Sequence, residues 1–249
     1  MDGDVTAAGL LSGDLGNIGN ILAAISALGL AAFGLVDATK VFGGGASRMG
    51  FGFIEGALAP FLDAIVAANG AAGATARVLI RETVLANWLN GVAKAEQKAA
   101  AKALINLHLN GQTAPIFARH TGLDEPALKS AAEALAKGTD LNEAQLGALG
   151  RFNTIVSATL DMAYERADQA YRNASKLTAG VIAVVLSCAA GAIIFTSGEK
   201  PQPIGAYLGS SDFYLALLIG VISTPIAPIA KDISTSLSGA VGALARIKR

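Results

Sequence analysis

Paired carboxylates are the side chains of this 249-residue chain that come closest to a chemical site. Glu55 and Asp63 lie eight residues apart, so both fall on one face of a helix. Asp161, Glu165 and Asp168 follow at spacings of four and three and also share a face. Carboxylate oxygens suit a hard cation such as Ca²⁺. However, neither set contains a histidine, and such i, i+4 acidic sets usually form a solvated helix face, so the sequence predicts no metal site.

Nucleophilic and acid–base chemistry finds little support. The chain has only two histidines, His108 and His120, at positions typical of helix ends and connectors, and one cysteine, Cys188, inside an apolar run. No G-x-S-x-G, Walker or dinucleotide-binding pattern occurs. We therefore expect a protein that is not an enzyme and carries no cofactor. A membrane-embedded enzyme using Glu55, Asp63 and His120 is the weakest of three alternatives.

The composition points instead to a membrane. Hydrophobic residues make up 53% of the chain and charged residues 15%, with a mean hydropathy of +0.50. Soluble domains carry about 25% charged residues. The net charge is zero, which gives no field for nucleic acid, so we expect none as a partner. Three uncharged apolar runs approach the roughly 20 residues that cross a bilayer. We therefore predict an all-α integral membrane protein with three transmembrane helices.

The same runs divide the chain into segments. A helical domain on the inner, cytoplasmic side is inserted between the first and second spans. The predicted segments are an outer tail at 1–17, the first span at 18–36, the inner domain at 37–176, the second span at 177–196, an outer loop at 197–212, the Pro-kinked third span at 213–230 and a basic, amphipathic inner tail at 231–249.

Within the inner domain, the apolar segment 53–68 is interrupted by Pro60 and carries two carboxylates. It is too short and too polar for a comfortable span. An interfacial or re-entrant helix, or a buried helix of the soluble part, fits it better.

A long helical pattern then runs over 75–110, weakened by Gly91. Its second half carries a basic ridge of Lys94, Lys98 and Lys102. This ridge faces either water or anionic lipid headgroups, where each lysine gains about 1 kcal/mol.

The second half of the inner domain shows clear helix boundaries. Asp124 is an N-cap and Gly138 an end signal. Asp140, with Glu143 three residues on, resembles a capping box. Because no strong breaker follows until Gly198, we predict one continuous helix of about 55 residues running into the second span. A break near 173–175 is the alternative.

Two membrane features could serve assembly or permeation. Small residues at spacings of four give the second span a smooth stripe for helix packing. The third span carries hydroxyls beside its prolines and is the natural lining of a pore, with charged residues at its mouth. The stripe is Ala179, Ala183, Ser187 and Gly191; the pore or kink set is Ser223, Thr224, Pro225 and Pro228; the charged mouth is Glu55, Asp63, Asp37, Lys231 and Asp232.

Orientation follows from the distribution of Lys and Arg. With the N-terminus outside, most basic residues near the spans fall on the inner side, whereas the outer side has Lys200 alone. We therefore expect a bacterial inner-membrane protein with its C-terminus inside. The leading functional hypothesis is a non-enzymatic homo-oligomer in the lipid bilayer that forms a channel or pore lined by the third span. The alternative is an accessory or scaffold subunit of a larger membrane complex.

Overall fold

The computed structural model describes residues 7–198, 201–227 and 229. Every regular element in these residues is helical, as predicted. The longer helices are α1 (Ala7–Ala38), α2 (Arg48–Leu89), α3 (Lys94–Leu107), α4 (Ala114–Thr121), α5 (Glu125–Lys137), α6 (Glu143–Ser197) and, after the short α7 (Ile204–Tyr207), α8 (Ser211–Ala227). The predictions for Pro228, Lys231, Asp232 and the tail lie outside the described residues.

The chain forms two compact units. One, the helical unit, comprises residues 40–173, and the other comprises the residues up to 39 and those from 174 onwards. We call the second the membrane unit, because it contains the three spans predicted from the sequence. The predicted inner domain, 37–176, contains the helical unit.

Helix α2 is not straight but reverses at Gly70, whose φ of 55° and ψ of −126° are not helical. Two ion pairs demonstrate the reversal: Arg81 Nε lies 2.5 Å from Glu55 Oε1, 26 residues away, and Arg77 Nη1 lies 2.6 Å from Asp63 Oδ1. A straight helix would separate residues 26 apart by about 39 Å. Residues 48–69 and 71–89 therefore form two antiparallel arms.

Close backbone contact at Gly73 tightens this hairpin. A Cβ added there would lie 2.8 Å from Val66 Cα, so only glycine fits. The predicted single helix over 75–110 is wrong: α2 ends at Leu89 and α3 begins at Lys94. The break lies at Gly91, whose φ is +67°, a conformation that glycine adopts without strain.

The apolar segment 53–68 supplies the centre of the helical unit. Ile54, Leu58 and Ile65 are at most 1% exposed and belong to one hydrophobic cluster with residues of α3 to α6. Phe61 packs edge-on against Phe117, with ring centroids 5.4 Å apart. Burial in this core accounts for the apolar character of the segment.

Among the residues that the structure describes, three helices are by length and composition apolar enough to cross a membrane: Ile21–Ala38, Gly45–Leu89 and Glu143–Ser197. The second contains the α2 hairpin, which cannot cross as one straight helix. The predicted third span instead appears as a shorter apolar helix, α8, up to the end of its continuously described residues.

Helix α6 has 55 residues, which confirms the predicted length and continuity. Its start differs from the prediction. Asn142 and Gln145 cap each other reciprocally: each backbone N–H donates to the other's side-chain oxygen at 2.9 Å. The capping box is therefore Asn142–Gln145 rather than Asp140–Glu143. The α5 prediction is confirmed, since Asp124 accepts a hydrogen bond from the Ala127 N–H at 2.9 Å.

Candidate functional site

The two carboxylates on the first arm of α2 are held by arginines on its second arm. Glu55 pairs with Arg81, and Asp63 with Arg77. Arg81 also reaches Glu82 at 3.1 Å. These carboxylates therefore stabilise the hairpin, and their side chains stay 43% and 60% exposed rather than enclosed in a cavity. Each of these carboxylates faces a guanidinium group of the opposite arm.

The basic ridge of α3 faces the long helix α6 and not the outside of the helical unit. Each step of four residues along α3 is matched by four residues back along α6, as in an antiparallel helix pair. We call this set the α3–α6 ladder. Its rungs are Lys94 with Glu165 at 3.0 Å, Lys98 with Asp161 at 2.5 Å, Lys102 with Ser157 at 3.0 Å and Asn106 with Asn153 at 2.9 Å.

The ladder brings together the basic ridge of α3 and the acidic set of α6, which were predicted as separate features. All three lysines were predicted to face water or headgroups. Lys94 and Lys98 pair instead with acidic residues of α6, and Lys102 donates to the Ser157 hydroxyl. Lys94 bridges Glu165 and Asp168, the latter at 3.2 Å. The sequence held a signal for this pairing, because the lysines of α3 and the acidic residues Asp161 and Glu165 of α6 have the same four-residue spacing.

Asp168 has the clearest electrostatic perturbation of these groups. Partial burial by itself would raise its pKa, but hydrogen bonds from Arg172 and Lys94 outweigh this and lower the pKa below the usual range. Conversely, the hydrogen bond to Glu165 raises the pKa of Lys94 despite partial desolvation. Both shifts favour the charged forms, as expected for ion pairs that stabilise structure.

Tyr164 was not singled out from the sequence. It is fully buried on α6, and burial raises its pKa to about 12. Its ring meets Trp88 edge-on at 6.2 Å, and its hydroxyl has no hydrogen-bond partner among the described residues. Trp88 donates to the Ser47 carbonyl at 2.8 Å. Trp88 and Tyr164 therefore close the core near the start and end of α2. In the sequence, only their large aromatic side chains indicated this role.

The histidines lie apart from these groups. His108 is the C-cap of α3, with Nδ1 2.9 Å from the Leu104 carbonyl oxygen. His120 is exposed in the last turn of α4. Within the described part of the chain, no three His, Cys, Asp or Glu side chains come together in a way that would hold a metal ion.

In the membrane unit, the small-residue stripe of the second span packs within the chain. Ala179 and Ala183 are fully buried, and Ser187 donates a hydrogen bond to the Ala216 carbonyl of α8 at 2.6 Å. On α8, a Cβ added to Gly220 would lie 2.5 Å from Val184 Cα. The stripe therefore brings α6 and α8 into backbone contact.

The residues of α8 that were predicted to line a pore differ in their surroundings. Ser223 is fully buried and donates to the Gly220 carbonyl at 2.8 Å. It lies against α1, where a Cβ on Gly29 would collide with the Ser223 carbonyl. Thr224 has a buried hydroxyl without a partner among the described residues, while Pro225 is exposed. Asp37, predicted at the charged mouth, is exposed near the end of α1.

The segment between α6 and α8 contributes a residue that was not singled out from the sequence. Tyr207 is 3% exposed, and its hydroxyl donates to the Cys188 carbonyl of α6 at 3.0 Å. Its ring contacts Phe195 and Phe213, each at a centroid distance of 5.5 Å. Gly191, the last residue of the stripe, leaves the space that this hydroxyl occupies. Tyr207 therefore locks α6 to the segment leading into α8.

No protein-family model, curated protein or solved structure matches this chain.

Proposed function

We propose that this chain is a non-enzymatic membrane scaffold subunit, in which a helical anchor carries a helical domain that docks other subunits of a larger complex. Helix α6 carries the proposal. It gives Phe152, Val156 and Leu160 to the core of the helical unit. Further along, it gives Ala179 and Ala183 to the packed interior of the membrane unit. A single helix without a break thus belongs to the core of both units, as expected for an anchor.

Membrane insertion is supported by the outer surface of the anchor. Large apolar side chains remain exposed along α6, including Leu177 at 73%, Val185 at 61% and Ile194 at 72%. Soluble monomers rarely expose contiguous apolar surfaces larger than a few hundred Å². Lipid is the solvent that suits such a surface, while small residues occupy the contacts between helices.

The proposed orientation, with the N-terminus outside and the helical unit in the cytoplasm of a bacterial cell, rests on the positive-inside rule. Single cysteines in a Cys188→Ala background test it with an impermeant thiol reagent. We expect Gln202→Cys to react in intact cells, and Lys137→Cys to react only after permeabilisation. Both positions are exposed, so protein burial does not hide either. The reverse pattern would overturn the orientation.

A non-enzymatic role is supported by how the polar groups are used. The carboxylates that could do chemistry stabilise the α2 hairpin and the α3–α6 ladder. The helical unit has a concave surface with a volume of about 800 Å³ between the starts of α5 and α6. Asp124, Glu143 and Arg151 line it together with small residues such as Ala144. We propose this surface as the docking site for a partner subunit.

Purification of the full chain from its native membrane in mild detergent tests the scaffold. We expect an unlike subunit at a fixed ratio, lost in Ala144→Arg and retained in Ala136→Arg. Ala144 lines the docking surface, whereas Ala136 is equally exposed on α5 outside its lining. A uniform homo-oligomer without foreign subunits would refute the scaffold and favour the homo-oligomeric alternative.

A pore lined by Ser223 is not part of the proposal. That hydroxyl turns inward to the Gly220 carbonyl and lies beside α1. This burial supports a packing role for Ser223 over the lining of a pore.

A further inference from the structure

A concave apolar surface in the membrane unit has the features of a ligand site. It has a volume of about 820 Å³ and is lined by three helices of the unit, with Phe33 from α1, Val181 and Val185 from α6, and Val221 from α8. The volume is in the range of pockets that hold small molecules. We call this surface the α1–α6–α8 groove.

Two polar groups interrupt its apolar lining. Lys176 marks one end, immediately before the uncharged run of α6. The Thr224 hydroxyl lies against Gly180, where an added Cβ would be 3.9 Å away. This hydroxyl is buried without a partner among the described residues, which is costly in an apolar environment. Because this hydroxyl is buried between α8 and α6, the Lys176 ammonium group is the polar feature of the described lining that a ligand can reach.

The order of these features along α6 indicates the ligand. Lys176 is exposed at one end of the groove, where its ammonium group can pair with an anion. About two turns further along α6 the lining is aliphatic at Val184 and Val185. An anionic group followed by a hydrocarbon chain is the order of groups in an anionic phospholipid.

We propose that the α1–α6–α8 groove binds one anionic phospholipid, with its phosphate at Lys176 and an acyl chain along Val184 and Val185. The inference rests on the proposed membrane insertion, which the cysteine-labelling experiment tests separately. Failure of lipid binding in a correctly inserted protein would therefore refute this site alone.

Native mass spectrometry of the full chain, delipidated in mild detergent, tests the site with added phosphatidylglycerol or phosphatidylcholine. We expect one retained lipid and a preference for the anionic one. Lys176→Gln should weaken phosphatidylglycerol binding about fivefold, which corresponds to about 1 kcal/mol for one lysine at an anionic headgroup. Lys137→Gln, on exposed α5, is the matched charge control and should change nothing.

A second pair of variants tests the groove independently of charge. Gly180→Leu projects a side chain into it and should abolish retention of both lipids, whereas Ala189→Leu, exposed on α6 outside the lining, should not. Equal retention of the two lipids with no effect of Lys176→Gln would overturn the headgroup assignment. Unchanged retention in Gly180→Leu would place the lipid elsewhere. A dimer that Gly180→Leu disrupts without any bound lipid would make the groove a subunit interface and refute the proposal.

Discussion

The reversal at Gly70 leads to a prediction in which two identical substitutions have opposite effects. Gly70 has φ 55° and ψ −126°, and a Cβ added there meets nothing within 4 Å. The effect of Gly70→Ala is therefore purely a backbone effect. Gly56→Ala is the matched control, because Gly56 also has open space around it but lies within the helical first arm.

The expected magnitudes follow from the backbone. Holding a residue with a Cβ in such a conformation costs about 1–3 kcal/mol. Replacing glycine by alanine also reduces the conformational freedom of the unfolded chain, which offsets about 0.4–1 kcal/mol of this cost. Gly70→Ala should thus lower the free energy of unfolding by about 1–2 kcal/mol, whereas Gly56→Ala should raise it by about 0.5–1 kcal/mol. For a unit of this size, 1 kcal/mol shifts Tm by about 4 °C.

Trp88 makes the measurement specific to the helical unit. It is the only tryptophan in the chain, and it packs against Tyr164 in that unit. Urea or thermal unfolding of the full chain in mild detergent, monitored by tryptophan fluorescence, reports on the unit that contains both glycines. If residues 48–89 formed a straight helix, both substitutions would stabilise it. A Gly70→Ala protein as stable as the unsubstituted chain, or more stable, would therefore refute the hairpin.

Three further predictions concern the ion pairs and the membrane unit. Hydrogen bonds lower the folded-state pKa of Asp168. The stability that its carboxylate contributes is therefore present above the unfolded-state pKa of about 4 and is lost as the pH falls through the lower folded-state pKa. Acid unfolding of Asp168→Asn should lack this loss of stability. Lys98→Glu and Asp161→Lys should each destabilise, while the double variant recovers about 0.5–1 kcal/mol of coupling in a double-mutant cycle. Gly191→Ala should lower thermal stability by colliding with the Tyr207 hydroxyl, and adding Tyr207→Phe should restore part of it.

The sequence predicts the length of α6 well and its start less well. No strong breaker lies between Glu143 and Ser197, and this absence decides where the helix ends. At the start, two polar pairs have the three-residue spacing of a capping box, and only the structure shows that Asn142 and Gln145 form it. Spacing alone cannot rank them, because it does not report which residue leaves the helical conformation.

The α2 reversal lies between the predicted segments 53–68 and 75–110, in a stretch that contains Gly70 and Gly73, but the reversal itself was not predicted. Glycines show where the chain can turn, not whether the two arms fold onto each other. The paired charges held a signal: Asp63 with Arg77 centres on residue 70, and Glu55 with Arg81 centres on residue 68. Opposite charges placed symmetrically about a glycine are the pattern of a helical hairpin.

The α3–α6 ladder shows why such charge patterns do not by themselves assemble a fold. Exposed ion pairs contribute about 0.2–1 kcal/mol each. A slip of one turn would move Lys98 from Asp161 to Glu165 and Lys102 from Ser157 to Asp161, which keeps two ion pairs. The charges therefore favour an antiparallel arrangement of α3 and α6 but not this register. The fully buried side chains on both helices fix the register, since a slip would displace all of them from a close-packed core.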